Sequence, residues 1–208
     1  MVKNLVSNWR LSSYKLTYVL IAVMACGLVL SMFLTEDPRW MEWHLSRLGE
    51  GMALSSAIFN FSITIGALLL AIIAMLIADD ICAASKTKQA ERGARILRDI
   101  LLIVAVCWLG VGCFPFDRFP IIHNCFGYGE FFLLGGAMLA LHSLYSGFSK
   151  RTYSLGIAAV LVTGVLMILF HLVQFTTLLA VELIGQLFTS AWLLLVTYDT
   201  SKRSLGQK

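Results

Sequence analysis

The chain has 208 residues, of which 59% are hydrophobic and 13% are charged, and its formal net charge is +4. Ordinary soluble domains are about one quarter charged, and a soluble fold of this length could not bury so much apolar surface. The composition therefore predicts a protein whose solvent is a lipid bilayer. The basic residues stand in short clusters between apolar runs, which is typical of membrane topology and argues against a nucleic-acid partner.

Six apolar runs follow one another along the chain, at about 16–34, 53–78, 96–114, 121–145, 153–172 and 178–198. Each comes close to the ~20 residues that a helix needs to cross a hydrocarbon core of ~30 Å. Helices pair their backbone groups internally, whereas an open sheet in lipid would leave them unpaired. We therefore predict an all-α polytopic integral membrane protein, with one membrane domain over residues 1–208. The first run continues past Cys26, which favours a retained helix over a cleaved signal peptide.

The distribution of Lys and Arg predicts the orientation of these helices. Thirteen basic residues lie in the two terminal tails, in the segments 79–95 and 146–152, or at Arg98 just inside the third run, whereas the opposite loops hold three: Arg39, Arg47 and Arg118. Loops rich in Lys and Arg stay on the cytoplasmic side. We therefore expect both termini in the cytoplasm, in the cell (inner) membrane of a prokaryote.

The first outer loop, "EDPRWMEWHLSRLGEG", predicts a short interfacial helix at about 38–48. Asp37 can cap it, Pro38 suits its first position and Gly49 can end it. Trp40 and Trp43 would anchor this helix at the level of the lipid headgroups. The alternative is an irregular loop that carries two interfacial tryptophans.

The stretch "PFDRFPIIHNCFGYGE", residues 115–130, places ionisable residues between two apolar runs. If Pro120 begins the fourth helix, His123, Gly127 and Glu130 share one helical face. An ionisable residue inside a membrane span is costly and usually faces the bundle interior or a wet cavity. In an oxidising compartment, Cys113 just before this stretch and Cys125 within it could form a disulfide, although the sequence favours free thiols because buried cysteine is common in apolar helices.

Other runs carry polar residues to the same outer level. His44 precedes the second helix and Asn60 lies in its first turns, while His171 ends the fifth helix and Glu182 begins the sixth. We predict a site with His123, Glu130, His171 and Glu182 as candidate catalytic residues, and with His44, Asn60 and Asp117 as candidate ligand-binding residues. In a catalytic version, Glu182 or Glu130 would orient His123 as a general base.

The same residues permit less specific interpretations. Polar side chains in membrane helices often serve only to hold helices together, and Asp117 with Arg118 could be solvated loop charges. His44, His123 and His171 could bind zinc, although no HExxH or similar spacing supports a metal site. A b-type haem between two histidines is a further alternative.

Three segments carry a resemblance to a known family: "WHLSRLGEG" followed by "FNFSITIGALLL", then "GCFPFDRFPIIHNCFGYGEFF", and finally "ELIGQLFTSAWLLLV". Together they resemble the FRAG/DRAM-like six-helix membrane proteins, and in particular a prokaryotic branch of uncharacterised conserved membrane proteins. The resemblance spans nearly the whole chain through short motifs. The resemblance highlights six positions: Ser46, Gly49, Asn60, Pro115, His123 and Asn124. Of these, it adds Ser46 and Asn124 to the predicted ligand-binding residues. Arg47 departs from the acidic residue that this family often has between its Ser and Leu-Gly.

Eukaryotic members of this group include a protein of glycolipid-anchor remodelling and regulators of autophagy, whereas the prokaryotic branch has no agreed activity. From the residues and the resemblance together we expect a membrane protein whose polar outer pocket binds a lipid headgroup or similar amphiphile. This pocket could support lipid hydrolysis or acyl transfer. The alternatives are a non-catalytic subunit packed against a larger membrane protein complex and, with less support because no inverted repeat is visible, a small transporter.

Overall fold

The computed structural model describes residues 12–37 and 39–206. Lys3, Arg10 and Lys208, which contribute to the predicted orientation, lie outside the described residues. So does Pro38, the predicted first residue of the interfacial helix.

Six α-helices account for most of the described residues, and that part of the chain contains no β-strand. All six are long and apolar enough to cross a membrane, which confirms the prediction of an all-α six-helix architecture. Their bounds are α1 (Ser13–Leu34), α2 (Leu54–Ala84), α3 (Lys88–Cys113), α4 (Pro120–Leu144), α5 (Lys150–Ile168) and α6 (Leu178–Gly206).

Three helices extend well beyond the apolar runs that predicted them, by about two turns at one end. α2 continues to Ala84, α3 begins at Lys88 and α6 continues to Gly206. The apolar runs mark only the part of each helix that hydrocarbon can surround, whereas these ends are polar and can remain helical in water. The Thr87 side chain stabilises the start of α3 by accepting a 3.2 Å hydrogen bond from the Ala90 backbone N–H.

The helices pack in chain order, and α6 closes the arrangement by contacting both α1 and α2. The tightest core lies at the end of the bundle where α2 ends and α3 begins. Fully buried side chains from four helices meet there: Ile73, Ile77, Ile81, Leu97, Leu101, Leu141, Trp192 and Val196. If the predicted orientation holds, this packed end faces the cytoplasm.

Polar bonds join the helices at the same packed end. The Ser13 hydroxyl donates to the Asp80 carboxylate (2.8 Å), which connects α1 to α2. The Asp199 carboxylate accepts from the Ser149 backbone N–H (2.8 Å) and the Thr152 hydroxyl (2.6 Å), which connects α6 to the first turn of α5. Each of these groups therefore serves to hold helix ends together.

At the opposite end, residues 39–53 contain two short 3₁₀ turns, at Trp40–Glu42 and Leu45–Gly49, where the sequence predicted one helix. Asp37 folds the chain back on itself, because its carboxylate accepts from both the Arg39 backbone N–H (2.9 Å) and Arg47 Nε (2.8 Å). The second turn ends at Gly49, as the sequence predicted. Its location at the membrane interface stays a prediction.

Cys113 and Cys125 are both free and exposed. The structure therefore does not contain the disulfide that the sequence left open.

Candidate functional site

A cavity of about 930 Å³ occupies the end of the bundle opposite the packed core. All six helices contribute to its wall, together with the second 3₁₀ turn. This volume lies within the range of about 300–1,000 Å³ that is usual for small-molecule pockets. Most of the lining side chains are apolar. The polar residues among them include three histidines and two glutamates near the outer loop and α4–α6, together with amides and hydroxyl groups: His44, His123, Glu130, His171, Glu182, Asn124, Gln186, Ser46, Ser62, Tyr128, Thr163, Thr189 and Ser190.

His123 lies in the first turn of α4, and only 6% of its surface is exposed. Its Nδ1 forms a 2.8 Å hydrogen bond with the backbone carbonyl of Phe114. A carbonyl oxygen can only accept, so Nδ1 carries the proton in a neutral ring and Nε2 keeps the lone pair. The sequence predicted that Glu182 or Glu130 would orient this ring, but in the described hydrogen bonds the orienting group is the Phe114 carbonyl.

His44 lies beside the same region and exposes 8% of its surface. The ring of Phe116 contacts both imidazoles edge-on, with centroid distances of 5.0 Å to His44 and 5.8 Å to His123. Burial, with smaller contributions from the nearby charges of His123 and Arg47, lowers the pKa of His44 to about 4. His44 is therefore neutral at pH 7 and can serve as a hydrogen-bonding group.

Glu182 lies in the first turns of α6 and accepts a hydrogen bond from the Leu45 backbone N–H (2.5 Å). The backbone N–H of Leu179 also donates to the carbonyl of Trp43 (3.0 Å). These two bonds connect the outer loop to α6, so the same glutamate both lines the cavity and holds the loop beside it.

Glu130 lines the cavity two turns further along α4 than His123. Its carboxyl group interacts with the Trp108 side chain of α3, and it is close enough to Glu182 for their charges to interact. The two acids predicted from separate helices are therefore brought together in one cavity.

His171, Ser46 and Asn124 also line the cavity, as the sequence predicted. His171 is exposed and packs against Phe170 within a π-helical turn, Leu169–Val173, that follows α5. Single π turns often occur at functional sites, because the extra residue changes the direction in which side chains point.

Asn60 and Asp117 do not line the cavity, so their prediction as ligand-binding residues is not supported by their positions. The Asn60 amide donates to the Gly49 carbonyl (2.9 Å), and the Asp117 carboxylate accepts from the Gly51 backbone N–H (3.2 Å). Both side chains hold the outer loop against the bundle. Sequence could not distinguish this role from ligand binding, because both roles place a polar group at the same helical level.

Metal coordination has little geometric support. Within the ranges 12–37 and 39–206, no group of three His, Cys, Asp or Glu side chains is placed so that it could hold a metal ion. His44 and His123 approach the same phenyl ring, but His171 does not join them as a third ligand. The residues present therefore do not fit the zinc site that the sequence left open.

Sequence reasoning missed Trp108, Phe116 and the backbone N–H of Leu45, since none of them carries a recognisable motif. The sequence placed Gly127 on the face of α4 that carries His123 and Glu130, but it missed the other glycines of the cavity wall: Gly135, Gly136, Gly164 and Gly185. An added Cβ at Gly127, Gly136 or Gly164 would meet no atom within 4 Å. The available signal for a hollow interior was the presence of glycines inside apolar helices at positions where close packing of a neighbouring helix does not require them.

A scan of protein-family models, a search of curated proteins and a search of solved structures each found no match to this chain. The membership of the FRAG/DRAM-like group that the sequence motifs suggest therefore stays a prediction.

Proposed function

We propose that this chain is an integral membrane protein of the prokaryotic cell membrane whose cavity binds the headgroup and adjoining chain of a lipid or similar amphiphile. The single observation that supports this proposal best is the composition of the cavity wall. It combines a large apolar surface with a few polar groups near the outer loop, as an amphiphilic ligand requires.

The proposal includes the orientation expected from the Lys and Arg bias, with both termini cytoplasmic. In this orientation the cavity lies in the outer leaflet, because it occupies the end of the bundle that carries the 35–53 loop and the α3–α4 connection. The ligand would enter from the lipid phase.

A hydrolytic or acyl-transfer reaction is compatible with the orientation of His123. When its Nδ1 is hydrogen-bonded to the Phe114 carbonyl, its Nε2 is the nitrogen available to accept a proton from water or from a hydroxyl group. No hydrogen bond of the described residues joins His123 to a serine, threonine or cysteine, so an attacking water molecule is the simpler nucleophile.

Filling the cavity without disturbing its polar groups would test this proposal. Gly136→Leu and Gly164→Leu should each reduce the amount of co-purified lipid, because their side chains would occupy open space in the cavity wall. Ala57→Leu is the matched control, since Ala57 is exposed on α2 and does not line the cavity. Native mass spectrometry would count the lipids that remain bound after gentle extraction, and thermal melts would verify that each variant is folded.

Equal lipid retention by the wild-type protein and by both glycine variants would contradict the proposal. Lipid loss in the Ala57→Leu control as well would show that the measurement reports on the lipid-facing surface rather than on the cavity, and would equally remove the support.

A further inference from the structure

Glu130 and Glu182 are the acidic groups of the cavity wall, and no Lys or Arg of the described residues lines it. Glu130 from α4 and Glu182 from α6 both line the cavity, close enough for their charges to interact. Arg47, a basic residue in the adjacent loop, is paired with Asp37 (2.8 Å) and stacks on the Trp43 ring at 5.0 Å. The cavity therefore has no built-in cation to balance its two acids.

A charged carboxylate in a low-dielectric interior is costly unless a cation or several hydrogen-bond donors compensate it. Among the described residues, the Leu45 backbone N–H donates to Glu182, and the Trp108 side chain is the polar neighbour that interacts with Glu130. One neutral donor leaves most of the acceptor capacity of a carboxylate unused. The remaining capacity is available to a ligand that donates several hydrogen bonds.

His44 provides a second and independent indication of a ligand. Its side chain is more than nine-tenths buried, lines the cavity and has no hydrogen-bond partner among the described residues. Buried imidazole groups normally have a hydrogen-bond partner, whereas the ring of His44 packs edge-on against the apolar ring of Phe116. A bound headgroup would supply the missing partner.

The aromatic lining favours a positively charged headgroup. Trp108, Phe116, Tyr128 and Phe131 contribute rings to the cavity wall, and the faces of such rings attract ammonium groups. A phosphate headgroup would instead need Lys, Arg or a cluster of backbone N–H groups, and the cavity wall offers no Lys or Arg.

We propose that the ligand of this cavity is an amphiphile with a protonated amine headgroup, which Glu130 and Glu182 bind while its apolar chain occupies the remainder of the cavity. This proposal rests on the proposed function and specifies its ligand class. Under this proposal, two other ligand classes bind less favourably: amphiphiles whose only headgroup charge is a phosphate, and amphiphiles with an uncharged alcohol headgroup.

Three probes with the same chain would test the headgroup directly: dodecylamine, dodecanol and dodecyl phosphate, each radiolabelled. Their binding to the full-length protein in phosphatidylcholine nanodiscs at pH 7 would be measured after subtraction of binding to empty nanodiscs. We expect dodecylamine to bind at least about tenfold more tightly than the other two, because hydrogen bonds between charged groups are stronger than neutral ones. This comparison needs only the wild-type protein.

Charge-removing variants would assign the preference to the two acids. Glu130→Gln and Glu182→Gln should each bring dodecylamine to within about threefold of dodecanol. In Glu182→Gln the side-chain oxygen can still accept the hydrogen bond from Leu45, so the loop should stay in place. Glu91→Gln is the matched control, because Glu91 is exposed at the start of α3 and far from the cavity wall.

The outcomes separate the two proposals. Equal or tighter binding of dodecanol or dodecyl phosphate, or an amine preference that both variants retain, would overturn the amine proposal but leave the amphiphile-binding function intact. Absence of binding by all three probes would overturn both.

Discussion

At the scale of single residues, the surroundings of a side chain decide what it can do chemically. Asn60 and His123 are both polar groups near the outer ends of apolar helices, but only His123 lines the cavity. The Asn60 amide donates its hydrogen bond to the Gly49 carbonyl. In His123, Nδ1 is hydrogen-bonded to the Phe114 carbonyl, which leaves Nε2 accessible. His44 also lines the cavity. Because burial lowers its pKa, the stability of the folded protein should depend on pH through this residue.

The stability of the folded protein should depend on pH through His44. Its pKa is about 4 in the folded state and 6.5 in the unfolded chain, so the unfolded state binds more protons between these values. The contribution of neutral His44 to the free energy of unfolding is complete above pH 6.5. It is lost as the pH falls towards 4, by up to the order of 3 kcal/mol. Thermal melts in nanodiscs from pH 4 to 8 would measure this loss.

His44→Gln should remove that part of the pH dependence, whereas His142→Gln should retain it because His142 is exposed at the other end of α4. A His44→Gln profile that overlays the wild-type profile would show that the loss comes from other groups.

At the scale of helices, two kinds of glycine have opposite purposes. Gly93 allows α3 to approach the end of α4 so closely that an added Cβ would lie 1.8 Å from the carbonyl oxygen of Leu144. Gly136, on the cavity side of α4, would meet no atom within 4 Å. The first glycine is required by backbone packing, and the second leaves space empty.

Gly93→Ala should therefore destabilise the protein by about 1–3 kcal/mol, because a backbone carbonyl cannot move aside as a side chain can. Gly136→Ala is the matched control and should be neutral or stabilising by up to about 1 kcal/mol, since alanine favours a helix. Unfolding in mixed micelles with increasing denaturing detergent would compare the two. Similar losses at both positions would contradict the distinction between packed and hollow regions.

At the scale of the whole molecule, packing is unevenly distributed between the two ends of the bundle. One end has a dense core and hydrogen bonds between helix ends. The other end has the cavity and the outer loop that packs beside it. This asymmetry has a functional meaning only if the hollow end faces outward, so the orientation is the property to measure.

Cysteine accessibility would determine the orientation. In a variant without the five native cysteines, Phe119→Cys should react with a membrane-impermeant maleimide on intact cells, because Phe119 lies between α3 and α4 on the predicted outer side. Ser204→Cys and Ser146→Cys should react only after permeabilisation, since both lie on the predicted cytoplasmic side. Labelling of Phe119→Cys and Ser204→Cys from the same side would refute the topology.

Much of the fold follows from the sequence alone. The apolar runs predicted six helices because the thickness of a bilayer sets their length and lipid requires internal backbone pairing. The helical period placed His123 and Glu130 on one face of α4, and both do line the cavity. Pro120 and Gly49 marked boundaries where the structure has them, because each residue has a strong conformational preference.

Tertiary structure decided which polar residues meet. Sequence gives the height of a residue along its helix but not the rotation and neighbours of that helix, so it could not exclude Asn60 from the site or bring Trp108 to Glu130. It also predicted one helix where Asp37 and its partners fold the outer loop into two 3₁₀ turns. The cavity itself depends on packing: Gly136 of α4 and Gly164 of α5 both line it, and an added Cβ at either position would meet no atom within 4 Å.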